Sequence, residues 1–464
     1  MSSPLVWIFI PLIVAIILFA LQRWQSWVGL AGTLAALGLA GLAWWLPFEE
    51  IITLGSWSFK IAEHFIVSGL RFTLPNAVRP MLVLVYGATA FFLGGTLAVR
   101  VHRWFVPLGL IVVAVLIAAL AVEPILYTAL LIEIAVLVSV FILSPPGRPV
   151  GRGVLRFLVF QTLGMLFILL AGWLLTELEA TPEDSEAMLR AALMLGLGFV
   201  FLLAIFPLYT WIPMLTEETH PYPAAFVFST ILGVAILLVL RFIQLYPWLH
   251  ESLNIYATLR VVGVLMVATG GAWAAFQRHL GRMLGYAVII GIGHSLLAIS
   301  LQDGVALYFV MLLPRILALG VWSLALAVIR SHSNDLRFGA VQGMARRFPI
   351  AGAGLILAQF SLAGFPLLAG FPLSLTLWEQ LAVNSLPIAL WTLLGSVGLA
   401  AGGLRSLAVL VMGPDDLPWQ GKTGLLAQIL ILAGIVVLFL LGLVPQWFFP
   451  LLSDLPVRFG ILPP

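Results

Sequence analysis

The chain has 464 residues, of which 62% are hydrophobic and 9% are charged, and its formal net charge is +3. This composition excludes a soluble globular protein, and the small net charge does not favour a nucleic-acid partner. The absence of cysteine excludes disulfides, thiolate metal sites and iron–sulfur clusters held by this chain. The seven histidines are scattered, so we expect neither a cofactor nor a metal site.

Apolar runs of about 20 residues, long enough to cross the hydrocarbon core, recur over almost the whole sequence. We predict an all-α polytopic membrane protein with one membrane domain, 1–464, and no soluble module. The first run has no charged leader and no small-residue cleavage site, so we expect a retained helix. The fourteen predicted spans, numbered in chain order, are 4–21, 27–46, 77–99, 104–121, 124–143, 154–176, 188–206, 222–245, 256–275, 283–300, 303–329, 350–381, 386–411 and 424–446.

Basic residues are concentrated in the odd-numbered connections between spans, which the positive-inside rule places in the cytoplasm. These twelve are Arg23, Arg100, Arg103, Arg148, Arg152, Arg278, Arg282, Arg330, Arg337, Arg346, Arg347 and Lys422. The even connections are mostly acidic and contain Glu49, Glu50, Glu123, the run at 177–186, Glu251 and Asp303. Lys60, Arg71 and Arg79 lie in or beside the one long even connection, where the rule is weaker. We therefore expect both termini on the non-cytoplasmic side.

Two spans carry the same proline pattern, F-P-L-x-x-x-x-P, as FPLYTWIP in span 7 and FPLLAGFP in span 12. The prolines are Pro207, Pro213, Pro366 and Pro372. Proline breaks helices, and inside a bilayer the freed backbone is tolerated only within protein or beside a wet cavity. Because the two spans cross in opposite directions, the pattern is typical of inverted-repeat transporters with ion sites at the breaks. Chance recurrence of a common membrane proline is the alternative.

This pattern predicts two inverted five-helix repeats, 104–245 and 256–411. Three N-terminal helices within 1–103 precede them, and one C-terminal helix at 424–446 follows them.

Charged groups inside a bilayer are costly, so they are candidates for function. Glu133 in span 5, Arg315 after Pro314 in span 11, and Glu379 in span 12 are the main ones. A lone buried carboxyl such as Glu133 tends to bind a proton, which suits a relay, although a structural hydrogen bond is the alternative. Arg315 could instead bind carbonyls freed by the proline. His294 and Arg405 are weaker candidates, because a packed polar residue and an arginine reaching the interface explain them.

Several segments resemble one known family. FPLYTWIPMLTEETHPYPAAFVFSTILG (206–233) is similar to the motif P-F-H-x-W-x-P…A-P-x-P-x-x-A, and SLAGFPLLAGF (361–371) to S-L-A-G-x-P-P-x-x-G-F. LRFTLPNAVRPML (70–82), YTALLIEIAVLVSVFIL (127–143) and GRMLGYAVIIGIGHSLLAI (281–299) resemble further segments, and Arg405 falls at a recurrent Y-L-R. The chain thus resembles the antiporter-like membrane subunits of complex I-type enzymes and of Mrp cation/proton antiporters. The resemblance implies that Glu133 is the proton-transferring glutamate of span 5.

The chain departs from this family at its membrane lysines, which carry protons beside the glutamate. The span 7 lysine position reads as Leu202, the span 8 position as Gly233, and the span 12 position falls near Ser374. Arg315 stands in place of the span 11 lysine, and an arginine stays protonated in proteins. The span 10 histidine position reads as Gly291. These departures predict reduced or lost proton pumping.

The resemblance implies a membrane-arm subunit of a complex I-type assembly, either an NADH or ferredoxin:quinone oxidoreductase or a related hydrogenase. The subunit would contribute to redox-coupled proton translocation without an active site of its own. Its partners would be other membrane subunits, including sister antiporter-like subunits, and lipids, with quinone at another subunit. Its location would be the bacterial plasma membrane or an equivalent energy-coupling membrane. A structural or docking subunit without ion transport, and an Mrp-type cation/proton antiporter subunit, are the alternatives.

Overall fold

Helices dominate the fold of the chain, which we describe from a computed structural model. Among the described residues, ten helices are long and apolar enough to cross a membrane, and three shorter apolar helices accompany them. The prediction of an all-α polytopic membrane protein is confirmed, while the count of fourteen spans stays a prediction. The structure describes residues 2–54, 57–67, 69–147, 149–180, 185–251, 254–302, 304–333, 335–413 and 423–455.

In the N-terminal half, several continuous apolar runs of the sequence form more than one helical piece. Leu5–Phe9 and Phe228–Leu232 are π-helical turns, and the second of them joins two α-helices into one span, Pro221–Leu245. The helices are α1 (Ile10–Ala20), α2 (Gln25–Trp45), α3 (Arg79–Gly95), α4 (Phe105–Ala121), α5 (Leu126–Leu143), α6 (Arg152–Ala180), α7 (Ser185–Leu202), α8 (Trp211–Glu218), α9 (Pro221–Val227), α10 (Gly233–Leu245) and α11 (Trp248–Glu251).

The C-terminal half follows the same plan, with long helices and one divided span. The helices are α12 (Ile255–Phe276), α13 (Leu280–Ile299), α14 (Gly304–Arg330), α15 (Phe338–Val341), α16 (Met344–Arg347), α17 (Pro349–Leu362), α18 (Phe371–Asn384), α19 (Leu386–Val411), α20 (Leu425–Leu443) and α21 (Phe449–Ser453). Helix α14 continues through Pro314 without interruption.

The connection after α2 forms small antiparallel strands that the sequence analysis did not predict. Strand β1 (Ile51–Leu54) pairs with β2 (Trp57–Lys60), and β3 (His64–Val67) pairs with β4 (Leu70–Thr73), which also pairs with β5 (Val122–Glu123). The strands explain two exceptions to the charge pattern. Lys60 forms an ion pair with Glu49, and Arg71 Nε lies 3.6 Å from Glu123 Oε2, so each cation has an acidic partner on its own side.

The centre of the molecule is formed by α13, α14 and the span that contains α10. In their most apolar stretches, 89% of the residues of α13 and 78% of those of α14 are buried. By contrast, only 28% of α20 and 33% of α12 are buried, so these helices lie at the periphery. The side chains of α13 and α14 therefore face protein on nearly all sides.

Arginines close the carbonyl ends of neighbouring helices. The last carbonyls of a helix have no partner within that helix, and a cation there also opposes the negative end of the helix dipole. Arg241 Nη1, for example, donates to Leu120 O at 2.9 Å at the end of α4. The six pairs are Arg79–Ala43, Arg241–Leu120, Arg260–Ser300, Arg330–Thr219, Arg346–Val411 and Arg405–Ala275.

Three of the charges in the predicted topology, Arg148, Lys422 and Asp303, lie outside the described residues. So does part of the acidic run at 177–186.

Candidate functional site

The first broken helix ends before its prolines. Helix α7 stops at Leu202, and Ala204 takes a left-handed conformation with φ of 51°. Ala204 N then donates to Phe201 O at 3.3 Å and Ile205 N to Val200 O at 2.9 Å. This is the hydrogen-bond pattern of a Schellman motif, which closes the carbonyl end of a helix.

The second broken helix ends in the same way. Helix α17 stops at Leu362, and Gly364 has φ of 73°. Gly364 N donates to Ser361 O at 3.2 Å and Phe365 N to Phe360 O at 3.0 Å. The helices before both breaks therefore end with the same backbone conformation, which supports the prediction that the breaks are related.

The two breaks are separated along the chain by one residue more than the two sequence motifs are. Gly364 follows Ala204 by 160 residues (364 − 204), and the restarting helices at Trp211 and Phe371 are also 160 apart (371 − 211). The F-P-L motifs themselves are 159 apart (365 − 206). The proline match thus locates the breaks, but the left-handed residues set their register.

The four predicted helix-break prolines occupy two kinds of position. Pro207 and Pro366 lie in the segments between the half-helices, whereas Pro213 and Pro372 lie in the first turns of α8 and α18. A backbone N–H in the first turn has no acceptor within the helix, so a proline costs nothing there. The segments around Pro207 and Pro366 therefore break the helices, and the later prolines start them again.

Helix α8 is held at its far end by neighbouring elements. Arg282 Nε donates to Glu217 Oε2 at 2.6 Å, and Gly153 N donates to Glu218 Oε2 at 2.7 Å. Arg330 donates to the carbonyl of Thr219, directly after the helix. These contacts fix the half-helix to α6, α13 and α14.

A polar cavity lies beside the second break and brings together four of the residues singled out from the sequence. His294, Arg315 and Ser374 line it, together with Gly291 and Ser361. Its other walls are the side chains or backbone of Ala287, Met311, Pro314, Leu362, Gly370 and Leu373. The positions that the resemblance assigns to a span 10 histidine, a span 11 lysine and a span 12 lysine, Gly291, Arg315 and Ser374, therefore all line one space.

Arg315 is the charged group of this cavity. Its Nη1 donates to Ser295 Oγ at 2.5 Å, and Ser295 Oγ in turn donates to Gly291 O at 3.0 Å. A Cβ on Gly291 would lie 3.4 Å from Arg315 Nε, so the guanidinium lies close beside the glycine backbone. Among the described residues Arg315 donates to a hydroxyl and to no backbone carbonyl, so the alternative that it binds carbonyls freed by Pro314 is not observed.

Glu133 lies apart from this cavity, in the middle of α5. It is half-buried, and its Oε1 accepts a hydrogen bond from Thr162 Oγ1 of α6 at 2.6 Å. No Lys or Arg lies within ion-pair distance of it among the described residues. The sequence-based alternative of a hydrogen bond to a neighbouring helix is thus observed, and the transfer role stays a prediction.

Two further candidates also lie outside the cavity. Glu379 is exposed on α18 and does not line the cavity. Arg405 donates to the carbonyl of Ala275 at the end of α12, with its guanidinium carbon 5.6 Å from the ring centre of Phe338. These contacts favour a structural role for Arg405.

The other two lysine positions differ in the space around them. Leu202 is 2% exposed and packs against Gly164, where an added Cβ would lie 2.8 Å from Leu202 Cγ. Its carbonyl accepts from Gln161 Nε2 at 2.9 Å. Gly233 begins α10, its carbonyl accepts from the Tyr308 hydroxyl at 3.3 Å, and a Cβ there would meet no atom within 4 Å. A Cβ is therefore accommodated at Gly233, whereas Leu202 is buried and closely packed against Gly164.

A second polar cavity, which sequence reasoning missed, lies at the end of α8. Its polar lining includes Arg100, His102, Glu218, His220 and Arg330. These residues come from three odd-numbered connections, which the charge pattern assigns to the cytoplasmic side. The clustering of basic residues in those connections, together with the charged run TEETH after the break, was the signal that could have indicated it.

Comparisons with known proteins agree with this architecture. A family model described as NADH:quinone oxidoreductase/Mrp antiporter, TM matches residues 155–400. NADH-quinone oxidoreductase subunit 13 of Thermus thermophilus is 26% identical over 315 residues, which cover 64% of this chain and 66% of that protein. The chain spans between 42% and 66% of the length of the first curated relatives that it matches.

Two solved structures match nearly the full length of the chain. One is a chain of the membrane-bound sulfane sulfur reductase, an archaeal respiratory membrane complex, with a TM-score of 0.83, 17% identity, and coverage of 99% of this chain and 98% of that one. The other is a chain of the Mrp complex from Dietzia sp. DQ12-45-1b, with a TM-score of 0.81, 17% identity, and coverage of 99% and 97%. At this level of identity the likeness establishes the fold.

Proposed function

The chain belongs to the NADH:quinone oxidoreductase/Mrp antiporter transmembrane family, and from this premise we propose that it is an antiporter-like membrane-arm subunit of a redox-driven, complex I-type or related hydrogenase assembly. In this proposal it lies among other membrane subunits, including sister antiporter-like subunits, and lipids. Quinone binds at another subunit. The assembly lies in a bacterial plasma membrane or an equivalent energy-coupling membrane, with both termini of this chain on the non-cytoplasmic side.

The proposal includes two inverted repeats, 104–245 and 256–411, with helices from 1–103 before them and one at 424–446 after them. The observation that supports it is the shared Schellman ending of α7 and α17, followed in each case by a restarting half-helix. Breaks of this kind are where transporters with inverted repeats form their ion sites.

Within this subunit we assign proton transfer to Glu133. The carboxyl lies in the middle of a membrane helix, and its one hydrogen-bond partner in the described part of the chain is the hydroxyl of Thr162, a group that both donates and accepts. Ionisable groups at such a depth mark proton relays more often than surface charges do. His294 and Arg315 belong to the second break and serve there as polar groups rather than as a continuous path to Glu133.

Pumping by this chain is reduced in the proposal. Proton transfer needs groups that both bind and release a proton near the working pH, and Leu202 and Gly233 supply none. Arg315 keeps its charge. The packing of Leu202 against Gly164 also favours a second candidate function, a structural or docking subunit that moves no ions. The similarity in fold to a chain of the Mrp complex supports a third candidate function, that of an Mrp-type cation/proton antiporter subunit.

The first test is Glu133→Gln in the intact native assembly in sealed vesicles, with proton uptake and the redox rate measured together. Glutamine keeps an oxygen that accepts from Thr162 but cannot carry the proton. We expect fewer protons moved per electron, with assembly of the complex unchanged. The matched control is Glu50→Gln, because Glu50 is exposed and lies in the connection between α2 and β1, outside the helices.

An unchanged proton yield in Glu133→Gln would exclude a direct role for this carboxyl and favour the structural subunit. Membership of the assembly is tested separately by purifying the chain from native membranes in a mild detergent. Recovery of redox subunits together with other antiporter-like chains supports the complex I-type proposal. Recovery of small Mrp-type partners alone, with cation-driven proton flux, would overturn it.

A further inference from the structure

The guanidinium of Arg315 lies near the centre of the molecule with most of its hydrogen-bonding capacity unused. An arginine has five N–H donors, and in the described part of the chain only Nη1 is engaged, by Ser295 Oγ. No carboxylate among the described residues lies within ion-pair distance of it. Arg315 is half-buried, so its charge is only partly removed from water. Its remaining N–H donors are open to an acceptor that enters the cavity.

The walls around Arg315 offer further donors. His294 is 5% exposed, lines the same cavity, and its Nε2 has no hydrogen-bond partner among the described residues. Ser374 is buried, also lines the cavity, and its hydroxyl forms no hydrogen bond in the described chain. A guanidinium, a hydroxyl and an imidazole in the tautomer that carries its proton on Nε2, all lining one space, can together bind an anion.

The start of a helix also favours an anion in this cavity. Ser374 lies in the first turn of α18 (Phe371–Asn384), which restarts after the break. The amino end of a helix carries a partial positive charge and attracts anions. The carbonyls of Gly291 and Gly370 already accept hydrogen bonds, from Ser295 Oγ and from Ser374 N at 2.9 Å. The cavity therefore presents positive and donor groups in excess of acceptors.

The size of the cavity limits the occupant. Its volume is about 40 Å³, and one water molecule needs roughly 10–15 Å³ by the same measure. The space suits a small ion with at most one or two waters and excludes a lipid headgroup. Met311, Leu362 and Leu373 line its other sides with apolar surface. We propose that the cavity between α13, α14 and α18 binds a small monovalent inorganic anion, of which chloride is the abundant example, with Arg315 as its main ligand and His294 and Ser374 as donors.

The inference does not rest on the proposed function, because an anion bound here stabilises the break whether or not the chain moves protons. The anion neutralises Arg315 and joins α14 to the restarting helix α18. Removing it leaves the charge uncompensated, so the folded state loses stability.

The test uses the full-length chain in detergent, exchanged into gluconate buffer. Thermal unfolding is followed while chloride or bromide replaces gluconate at constant ionic strength. We expect the melting temperature to rise with either halide and to saturate. Arg315→Lys keeps the charge but loses the fork of donors, so we expect the half-saturating halide concentration to increase roughly tenfold. Arg405→Lys is the matched control and should respond to halide as the wild type does, because Arg405 lies outside the cavity.

A second variant keeps the test decisive if Arg315→Lys fails to fold. Ser374→Ala removes only a hydroxyl, and we expect a severalfold weaker halide response with little loss of stability in gluconate. An anomalous signal of bromide beside Arg315 in a crystal of the bromide form would locate the ion. Equal melting temperatures in chloride and gluconate, or a halide response unchanged in both cavity variants, would overturn the proposal.

Discussion

At the scale of single residues, polar side chains in this protein close the ends of helices. His279 is the clearest case outside the membrane spans, since its Nδ1 accepts from Gly281 N at 3.1 Å and from Arg282 N at 3.3 Å at the start of α13. Its Nε2 lies 3.4 Å from Asp335 Oδ1. The ring must be neutral to accept at Nδ1, because a protonated imidazole has no acceptor.

Burial lowers the pKa of His279 from its ordinary value of 6.5, against the opposing effect of the carboxylates of Glu217 and Asp335. Because the folded protein binds this proton less readily than the unfolded chain, the neutral ring contributes stability above pH 6.5. That contribution is lost as the pH falls toward and through the lowered pKa. His279→Asn, which caps a helix without titrating, should therefore flatten the acid side of a plot of melting temperature against pH between about pH 5 and pH 8. His64→Asn, at an exposed ring, should leave the wild-type slope; an equal slope in His279→Asn would contradict the assignment.

At the scale of elements, glycines let α12 and α19 approach each other backbone to backbone. A Cβ on Gly271 would overlap the carbonyl oxygen of Gly395, and one on Gly398 would overlap the carbonyl of Gly271. Small residues at such crossings let membrane helices pack closely, where no hydrophobic effect drives them together. The backbones of α12 and α19 are thus in direct contact, next to the central helix α13.

Gly271→Ala should weaken the packing of α12 against α19. The added methyl group meets backbone, which cannot move aside cheaply, so we expect a loss of about 1–3 kcal/mol in the free energy of unfolding. Gly38→Ala is the control, because a Cβ there meets nothing within 4 Å and alanine favours a helix over glycine. Thermal or denaturant unfolding in detergent measures both. Equal stability of the two variants would show that the crossing relaxes.

At the scale of the whole molecule, the exposed aromatic residues indicate where the bilayer lies. Helix α2 exposes Trp24 and Trp27 at one end and Trp44 and Trp45 at the other. At 1.5 Å per residue these ends are roughly 30 Å apart, which matches the hydrocarbon core. Tryptophan prefers the two interfaces of the bilayer, so α2 crosses with little tilt.

Sidedness can be measured cleanly because the chain has no cysteine of its own. We expect Arg347→Cys to react with a membrane-impermeant maleimide only from the cytoplasmic side, and Glu50→Cys only from the other. Both positions are exposed. Each variant should react fully in detergent, which controls for accessibility. Labelling of both positions from one side would overturn the orientation derived from the charge pattern.

Apolar runs were sufficient to predict the all-α membrane fold, because burial in a bilayer leaves a strong local pattern. The breaks were predicted from proline pairs, but their register was missed, since the left-handed residues Ala204 and Gly364 do not stand at the same place in the motif. The strands between α2 and α3 were missed because four-residue strands carry little periodicity.

The cavity of Arg315 could not be predicted as a unit. Its members come from α13, α14, α17 and α18, and only tertiary packing brings them together. The sequence did indicate Arg315, His294 and Ser374 one by one, through the cost of charge in a membrane and through the family's lysine positions. Their convergence, and the separation of Glu133 and Glu379 from them, required the structure.

The arginines that close helix ends also bear on how the chain is synthesised. Arg241 is 121 residues later in the sequence than the Leu120 carbonyl that it binds, and Arg405 is 130 residues later than Ala275. A ribosome that inserts helices in order leaves the end of α4 open until α10 has been made, and the end of α12 open until most of α19 has been made. A nascent chain stopped before Arg241 therefore lacks the side chain that closes the end of α4, so this contact forms only once more than half of the chain has been made.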